Sequence, residues 1–134
     1  MRPPKMLQGV LLVASFLFLL QGLSFLARLR WMESTLCNSA GPFGIVLPPY
    51  VLGGTVLGIL GALTVVWWKK RAEPYAFVWL ILIAGGASNA LERLQYGCVF
   101  DYIAFPWWPV FNIADVALFI SVVFLVWREY TRAE

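Results

Sequence analysis

The sequence predicts an all-α membrane protein: a bundle of four transmembrane helices with a small extracytoplasmic loop element that includes short β-strands. Three observations carry this prediction. Hydrophobic residues make up 61% of the chain, charged residues only 13%, and the mean hydropathy is +0.79. A soluble domain of 134 residues leaves much of its surface in water and could not hide so much apolar side chain. The apolar residues also fall into four runs long enough to cross a hydrocarbon core, with the charges gathered in short flanks between them.

The first run covers about residues 6–27 and follows Arg2 and Lys5. No small-residue cleavage site closes it. Ala27 leads instead into Arg28-Leu29-Arg30, so a retained span is expected rather than a secretory signal. The loop after it, around residues 31–46, is where short strands are expected. The second run, about residues 51–68, starts after Pro48-Pro49 and carries Gly54, Gly58 and Gly61, which are expected to admit a neighbouring helix. The third covers about residues 75–91 and the fourth about residues 110–127. With no repeat, low-complexity tract or soluble segment, residues 1–134 read as a single integral membrane domain.

Charge orients the spans. Arg2, Lys5, Lys69, Lys70, Arg71, Arg128 and Arg132 fall on one side, and Arg28, Arg30 and Arg93 on the other. The positive-inside rule puts both termini in the cytoplasm. The expectation is therefore a multi-pass protein of the cytoplasmic (inner) membrane, with the two longer loops facing outward. Trp31, Trp107 and Trp108 suit the outer interface, and Trp67, Trp68 and Trp127 the inner one.

Composition also excludes some chemistry. The net charge of +3 is spread over short flanks, so no nucleic-acid surface is expected. Histidine is absent, which removes a His-based triad, a His-containing zinc site and a histidine proton relay. Cys37 and Cys98 read first as small apolar residues. A disulfide between them stays open, because the outward loops place both on one oxidising side.

The remaining candidates are the chain's two aspartates, Asp101 and Asp115. Asp115 lies in the apolar stretch Asn112-Ile113-Ala114-Asp115-Val116-Ala117, where an ionisable group is costly and points to function. Asn112 and Asp115 share a helix face, as do Asn89 and Arg93 at the end of the third run. Two helix ends thus bring Asn, Arg and Asp to one outer level. The plain structural alternative is an Asp115–Arg93 pair that only locks two helices together.

The wider pattern favours chemistry. Gly85-Gly86-Ala87-Ser88-Asn89, Glu92-Arg93, Gly97, Val99-Phe100-Asp101-Tyr102-Ile103 and Trp108-Pro109-Val110-Phe111-Asn112-Ile113-Ala114-Asp115 follow one another here. They resemble the C-terminal half of lipoprotein signal peptidases (signal peptidase II), whose pattern is close to G-A-x-x-N-x-x-D-R-x-x-x-G-x-V-x-D-F-I and then W-P-x-F-N-x-A-D. Asn38-Ser39-Ala40-Gly41-Pro42-Phe43-Gly44 is similar to the family's N-x-G-A-A-F-G stretch, with Ala40 in place of the first Gly. The resemblance implies a membrane aspartyl endopeptidase with Asp101 and Asp115 as its catalytic pair and with no metal or cofactor. Asn38, Asn89, Arg93 and Asn112 would support the pair or bind substrate. The partners it implies are membrane lipid and a prolipoprotein whose lipobox cysteine carries a diacylglyceryl group, cut just before that cysteine. The chain departs from the pattern in the first span, where Gln21 and Phe25 stand at the family's Asp and Lys. It departs again at Glu92, which replaces an Asp, and in the short loop between the two aspartates. Gln21 and the short loop motivate one competing reading, an inactive relative that binds signal peptides or assists assembly; the others are a small transport subunit using Asp115 as an intramembrane proton site and a related protease with a different substrate.

Overall fold

A computed structural model describes residues 5–31, 33–41 and 44–133. Arg2, Pro42 and Phe43, which entered the reading above, lie outside the described residues. The elements in chain order are α1 (Lys5–Arg30), β1 (Leu36–Asn38), α2 (Pro49–Lys70), α3 (Ala76–Tyr96), β2 (Val99–Asp101), β3 (Ile103–Phe105), β4 (Trp108–Phe111) and α4 (Ile113–Ala133). The protein is an all-α membrane fold with two small antiparallel β-ladders.

At about 1.5 Å per residue, the 26 residues of α1 reach roughly 39 Å, beyond the ~30 Å of a hydrocarbon core. α1, α2 and α3 are long and apolar enough to cross a membrane. α4 matches α3 at 21 residues but carries Asp115 at one end and Arg128, Glu129 and Arg132 at the other. The large side chains that face outward, such as Phe18 (82% exposed) and Phe119 (68%), make a surface suited to lipid rather than water.

α3 is the central helix and packs against α1, α2 and α4. Its core contacts run from Tyr75, Val78 and Leu82 to Leu125 on α4, and from Leu80 and Ile83 to Trp67 on α2. The glycines that permit close approach between helices are on α1 and α3, not at the expected α2 positions: a Cβ at Gly9 would lie 2.5 Å from the Trp67 ring. A Cβ at Gly85 would lie 3.1 Å from the Ala114 carbonyl oxygen, and one at Gly86 would lie 3.0 Å from Leu60. Gly54, Gly58 and Gly61 face open space within 4 Å. The reason is position: α2 touches the bundle along one side only, and its glycines are on the other.

The opposite ends of the bundle are built differently. At one end, Arg132 pairs with Glu73 at 3.0 Å and donates to the Tyr75 hydroxyl at 2.6 Å, while Lys70 pairs with Glu129. These ties are exposed and add little stability. At the other end the chain leaves α3 through Gly97, whose φ of 76° suits glycine and whose N–H bonds the Arg93 carbonyl at 2.9 Å. β2 follows at once and pairs with β1, with Leu36 opposite Asp101, Cys37 opposite Phe100 and Asn38 opposite Val99. β3 and β4 form a hairpin with an irregular register, Ile103 opposite Phe111 and Phe105 opposite Trp108. Val110 and Phe111, read above as the start of the fourth run, therefore belong to a strand. α4 begins only at Ile113, where Asn112 caps it.

The two cysteines are a disulfide, not separate apolar residues. Their Cα atoms are 5.4 Å apart across 61 residues of sequence, because the β1–β2 ladder brings the segments after α1 and α3 together.

Candidate active site

Each candidate side chain is delivered by a local feature of the chain. Asp115 is in the first turn of α4 and forms a reciprocal cap with Asn112. The Asn112 Oδ1 accepts the Asp115 N–H at 3.0 Å, and the Asp115 Oδ2 accepts the Asn112 N–H at 3.1 Å. This capping box fixes the Asp115 carboxylate at the helix N-terminus. Asp101 comes from the last position of β2 and is 4% exposed. The strand is held from below by Glu92, whose Oε2 accepts the Phe100 N–H at 2.8 Å and whose Oε1 accepts the Ser24 hydroxyl.

One residue, Asn112, joins the two carboxylates, through its backbone N–H to Asp115 and its side-chain amide to Asp101. The Asn112 Nδ2 donates to Asp101 Oδ1 at 3.0 Å and to Asn89 Oδ1 at 3.2 Å. Asn89 in turn donates through Nδ2 to Asp115 Oδ1 at 2.8 Å. Asn38 donates through Nδ2 to Asp101 Oδ2 at 3.0 Å, and its own Oδ1 accepts the Ala40 N–H at 3.0 Å. Every carboxylate oxygen of the pair thus has an N–H donor, and every Asn amide is oriented by a second bond. Such a closed network leaves few alternative rotamers for either acid.

Arg93 stands beside the pair without forming an ion pair to it. Its Nη2 donates to the Ala40 carbonyl at 2.9 Å, and no Asp115–Arg93 bridge occurs among the described residues. The alternative in which those two residues merely lock helices is not what the fold contains. Burial pushes the Asp101 carboxyl above the usual carboxylate range, and the nearby Asp115 charge adds to this. The Asn38 and Asn112 hydrogen bonds and the Arg93 charge pull it back only in part. Burial likewise raises the Tyr102 hydroxyl, which accepts the Ile113 N–H at 3.3 Å and docks the turn after β2 onto the start of α4. No three His, Cys, Asp or Glu side chains gather as a metal site would need among the described residues.

The sequence-predicted residues Asn38, Asn89, Asp101, Asn112 and Asp115 therefore meet in one network, with Arg93 at its edge. Two residues of that region were not singled out. Ser24 is the first-span contact of Glu92, and Ser88 receives Gln21, whose Nε2 donates to its carbonyl at 3.1 Å and its hydroxyl at 2.9 Å. Phe25 is 52% exposed, and the Arg28 guanidinium lies 5.8 Å from its ring centroid.

Comparison with known proteins identifies the family. The profile described as Signal peptidase (SPase) II matches residues 11–131. The chain belongs to the signal peptidase II family. Among curated relatives it is similar to the lipoprotein signal peptidase of Polynucleobacter necessarius, 35% identical over 86 residues, which are 59% of this chain and 53% of that protein. The Syntrophomonas wolfei enzyme of the same name is 40% identical over 73 residues, 54% of this chain and 49% of that protein. The chain spans about half the length of the curated relatives it matches. A bacterial membrane enzyme solved by the in meso method at 2.3 Å shares the fold, with a TM-score of 0.73 over 95% of this chain and 90% of that one at 16% identity.

Proposed function

We propose that this signal peptidase II family member is an aspartyl endopeptidase that removes signal peptides from lipid-modified prolipoproteins, cutting before the diacylglyceryl-bearing lipobox cysteine. The observation that carries the reading is the joining of Asp101 and Asp115 through the single residue Asn112. Carboxylates that share one hydrogen-bonding residue and feel each other's charge do not both ionise cheaply, so in this reading the pair keeps one proton between them. The ionised partner takes a proton from a water as that water attacks the scissile carbonyl. The protonated partner donates to the carbonyl oxygen as negative charge develops there. Asn38, Asn89 and Asn112 hold the acids in register, and the positive charge of Arg93 offsets part of theirs.

The site faces the extracytoplasmic side in this reading, with both termini in the cytoplasm. Seven Lys and Arg residues against three support that orientation. So does the Cys37–Cys98 disulfide, since such bonds persist on the oxidising side of a membrane. Reporter fusions at Lys70 and Gln95 will report opposite sides; the same side for both contradicts the topology. The activity is tested with purified protein and a precursor offered with and without its diacylglyceryl group. The lipidated form should yield a product that begins at the modified cysteine. Failure to cut either form refutes the peptidase reading, and equal cutting of both refutes the lipid requirement.

A further inference from the structure

The disulfide lies on the same short ladder that delivers Asn38 to Asp101. Side chains alternate across a strand, so the ladder has two faces. On one, Asn38 is opposite Val99 and reaches diagonally to Asp101, at 3.0 Å. On the other, Cys37 is opposite Phe100 and reaches diagonally to Cys98, immediately before β2. The ladder is only three residue pairs long, and two-stranded pairings of that size are marginal by themselves. β1 is also poorly buried: Leu36 is 54% exposed, and Cys37 is exposed as well. β2, by contrast, is anchored, with Cys98, Val99 and Asp101 buried and Glu92 holding the Phe100 N–H. One strand of the pair is therefore fixed, and the other needs a tie.

We propose that the Cys37–Cys98 crosslink is a positioning element of the site, holding Asn38 against Asp101 so that cleavage depends on the oxidised state of this pair. The dependence of cleavage on it rests on the peptidase reading; its effect on Asp101 does not. Asn38 is flanked by two ties, the crosslink one residue before it and the Arg93 bond to Ala40 two residues after it. Only the first is covalent. A dithiol undoes it by exchange: two S–H bonds of the reductant become one S–S bond, and Cys37 and Cys98 each gain an electron and a proton. Once β1 is released, Asp101 loses the Asn38 donor that pulls its carboxyl down. The groups still acting on it are Asp115 from α4, Arg93 from α3 and the Asn112 amide. Its neighbour Tyr102 is the other titratable group at the end of β2.

The chain's two aspartates make a direct readout possible, because γ-13C-aspartate labelling gives two carboxyl signals and Asp101→Asn assigns them. In protein that keeps its helical circular dichroism, dithiothreitol or the double change C37S/C98S should move the Asp101 titration to higher pH. Cleavage of a lipidated precursor should fall on the order of tenfold, as expected for one lost charge-assisted bond, and the acidic limb of its rate profile should move up. Asn38→Ala with the crosslink intact should do the same and then ignore the reductant, since both changes remove one interaction. If the double cysteine variant loses helicity, Asn38→Ala alone carries the comparison. An unmoved Asp101 titration in reduced, folded protein overturns the proposal. So does an Asn38→Ala variant that still responds to reductant. If the oxidised wild type cleaves nothing, the peptidase reading fails while the carboxyl signals still decide whether the crosslink positions Asn38.

Discussion

Asn112 does two jobs that a pair of substitutions can separate. It caps α4 through Oδ1, and it bridges to Asp101 and Asn89 through Nδ2. Asn112→Ala removes both. Loss of an N-cap costs about 1 kcal/mol, and loss of a hydrogen bond to a charged group about 1.5–3 kcal/mol. Because Asn112 is 3% exposed, water does not readily replace the missing donor, and stability should fall by roughly 3 kcal/mol. A misplaced Asp101 adds its own loss in rate, on the order of tenfold to a hundredfold if the same bond orients the acid in the transition state. Asn112→Ser keeps a capping oxygen but has no donor long enough to reach Asp101. It should recover only the cap's share, about 1 kcal/mol of the loss in Asn112→Ala, and almost none of the rate. The assays are thermal unfolding in detergent and initial rates of precursor cleavage on the same preparations. If Asn112→Ser restores the rate along with stability, the bridge is dispensable and Asn112 is only a helix cap.

Three further outcomes follow from the surroundings of the site. Glu92→Ala leaves the Phe100 N–H and the Ser24 hydroxyl without their acceptor. It should destabilise the protein by roughly 2–4 kcal/mol and slow cleavage, and unchanged thermal unfolding would refute Glu92 as the anchor of β2. Gly85→Val drives a side chain into the Ala114 carbonyl and Leu118 at 3.1 Å, forcing α3 and α4 apart below the aspartates. Activity should drop with stability, whereas Gly58→Val, in open space, should leave both nearly unchanged. The raised carboxyl of Asp101 gives stability a pH dependence of definite sign. The folded state binds this proton more tightly than the unfolded state. Stability is therefore full below the ordinary carboxylate value of about 4 and falls as pH rises from there to the raised value, by at most about 1.4 kcal/mol per pH unit. Asp101→Asn should flatten that slope; a slope that persists unaltered would mean that other groups, among them Asp115, produce it.

The helices and most of the site were legible in the sequence because both rest on local signals. Long apolar runs mark helices, and Asn112 with Asp115 is at once a family motif and a helix-start signal. Asn89 and Arg93 share a helix face whatever the tertiary packing does. What was not legible depends on contacts between distant segments. Strands of three or four residues are too short for alternation to register, so Val110 and Phe111, the second half of β4, read as part of the fourth run. The disulfide needs β1 beside β2, which no spacing of two cysteines reveals. Glu92 appeared only as a longer substitute for Asp. Its role as acceptor for the Phe100 N–H emerges once Gly97 turns the chain back over the end of α3. The α2 glycines misled for a similar reason: small residues allow close packing, but only the fold says which helix face is covered.

The central claim is that Asp101 and Asp115 act as one catalytic unit. Its most direct test is cleavage of a lipid-modified precursor by purified wild type, Asp101→Asn, Asp115→Asn and the double variant, each checked for retained helicity. Asn keeps the volume of the carboxyl group and removes a charge from a confined site, so folding should survive. The account predicts that each single change abolishes cleavage and that the double variant is no worse than either, because the acids share one proton and one water. Near wild-type cleavage by either single variant would contradict it.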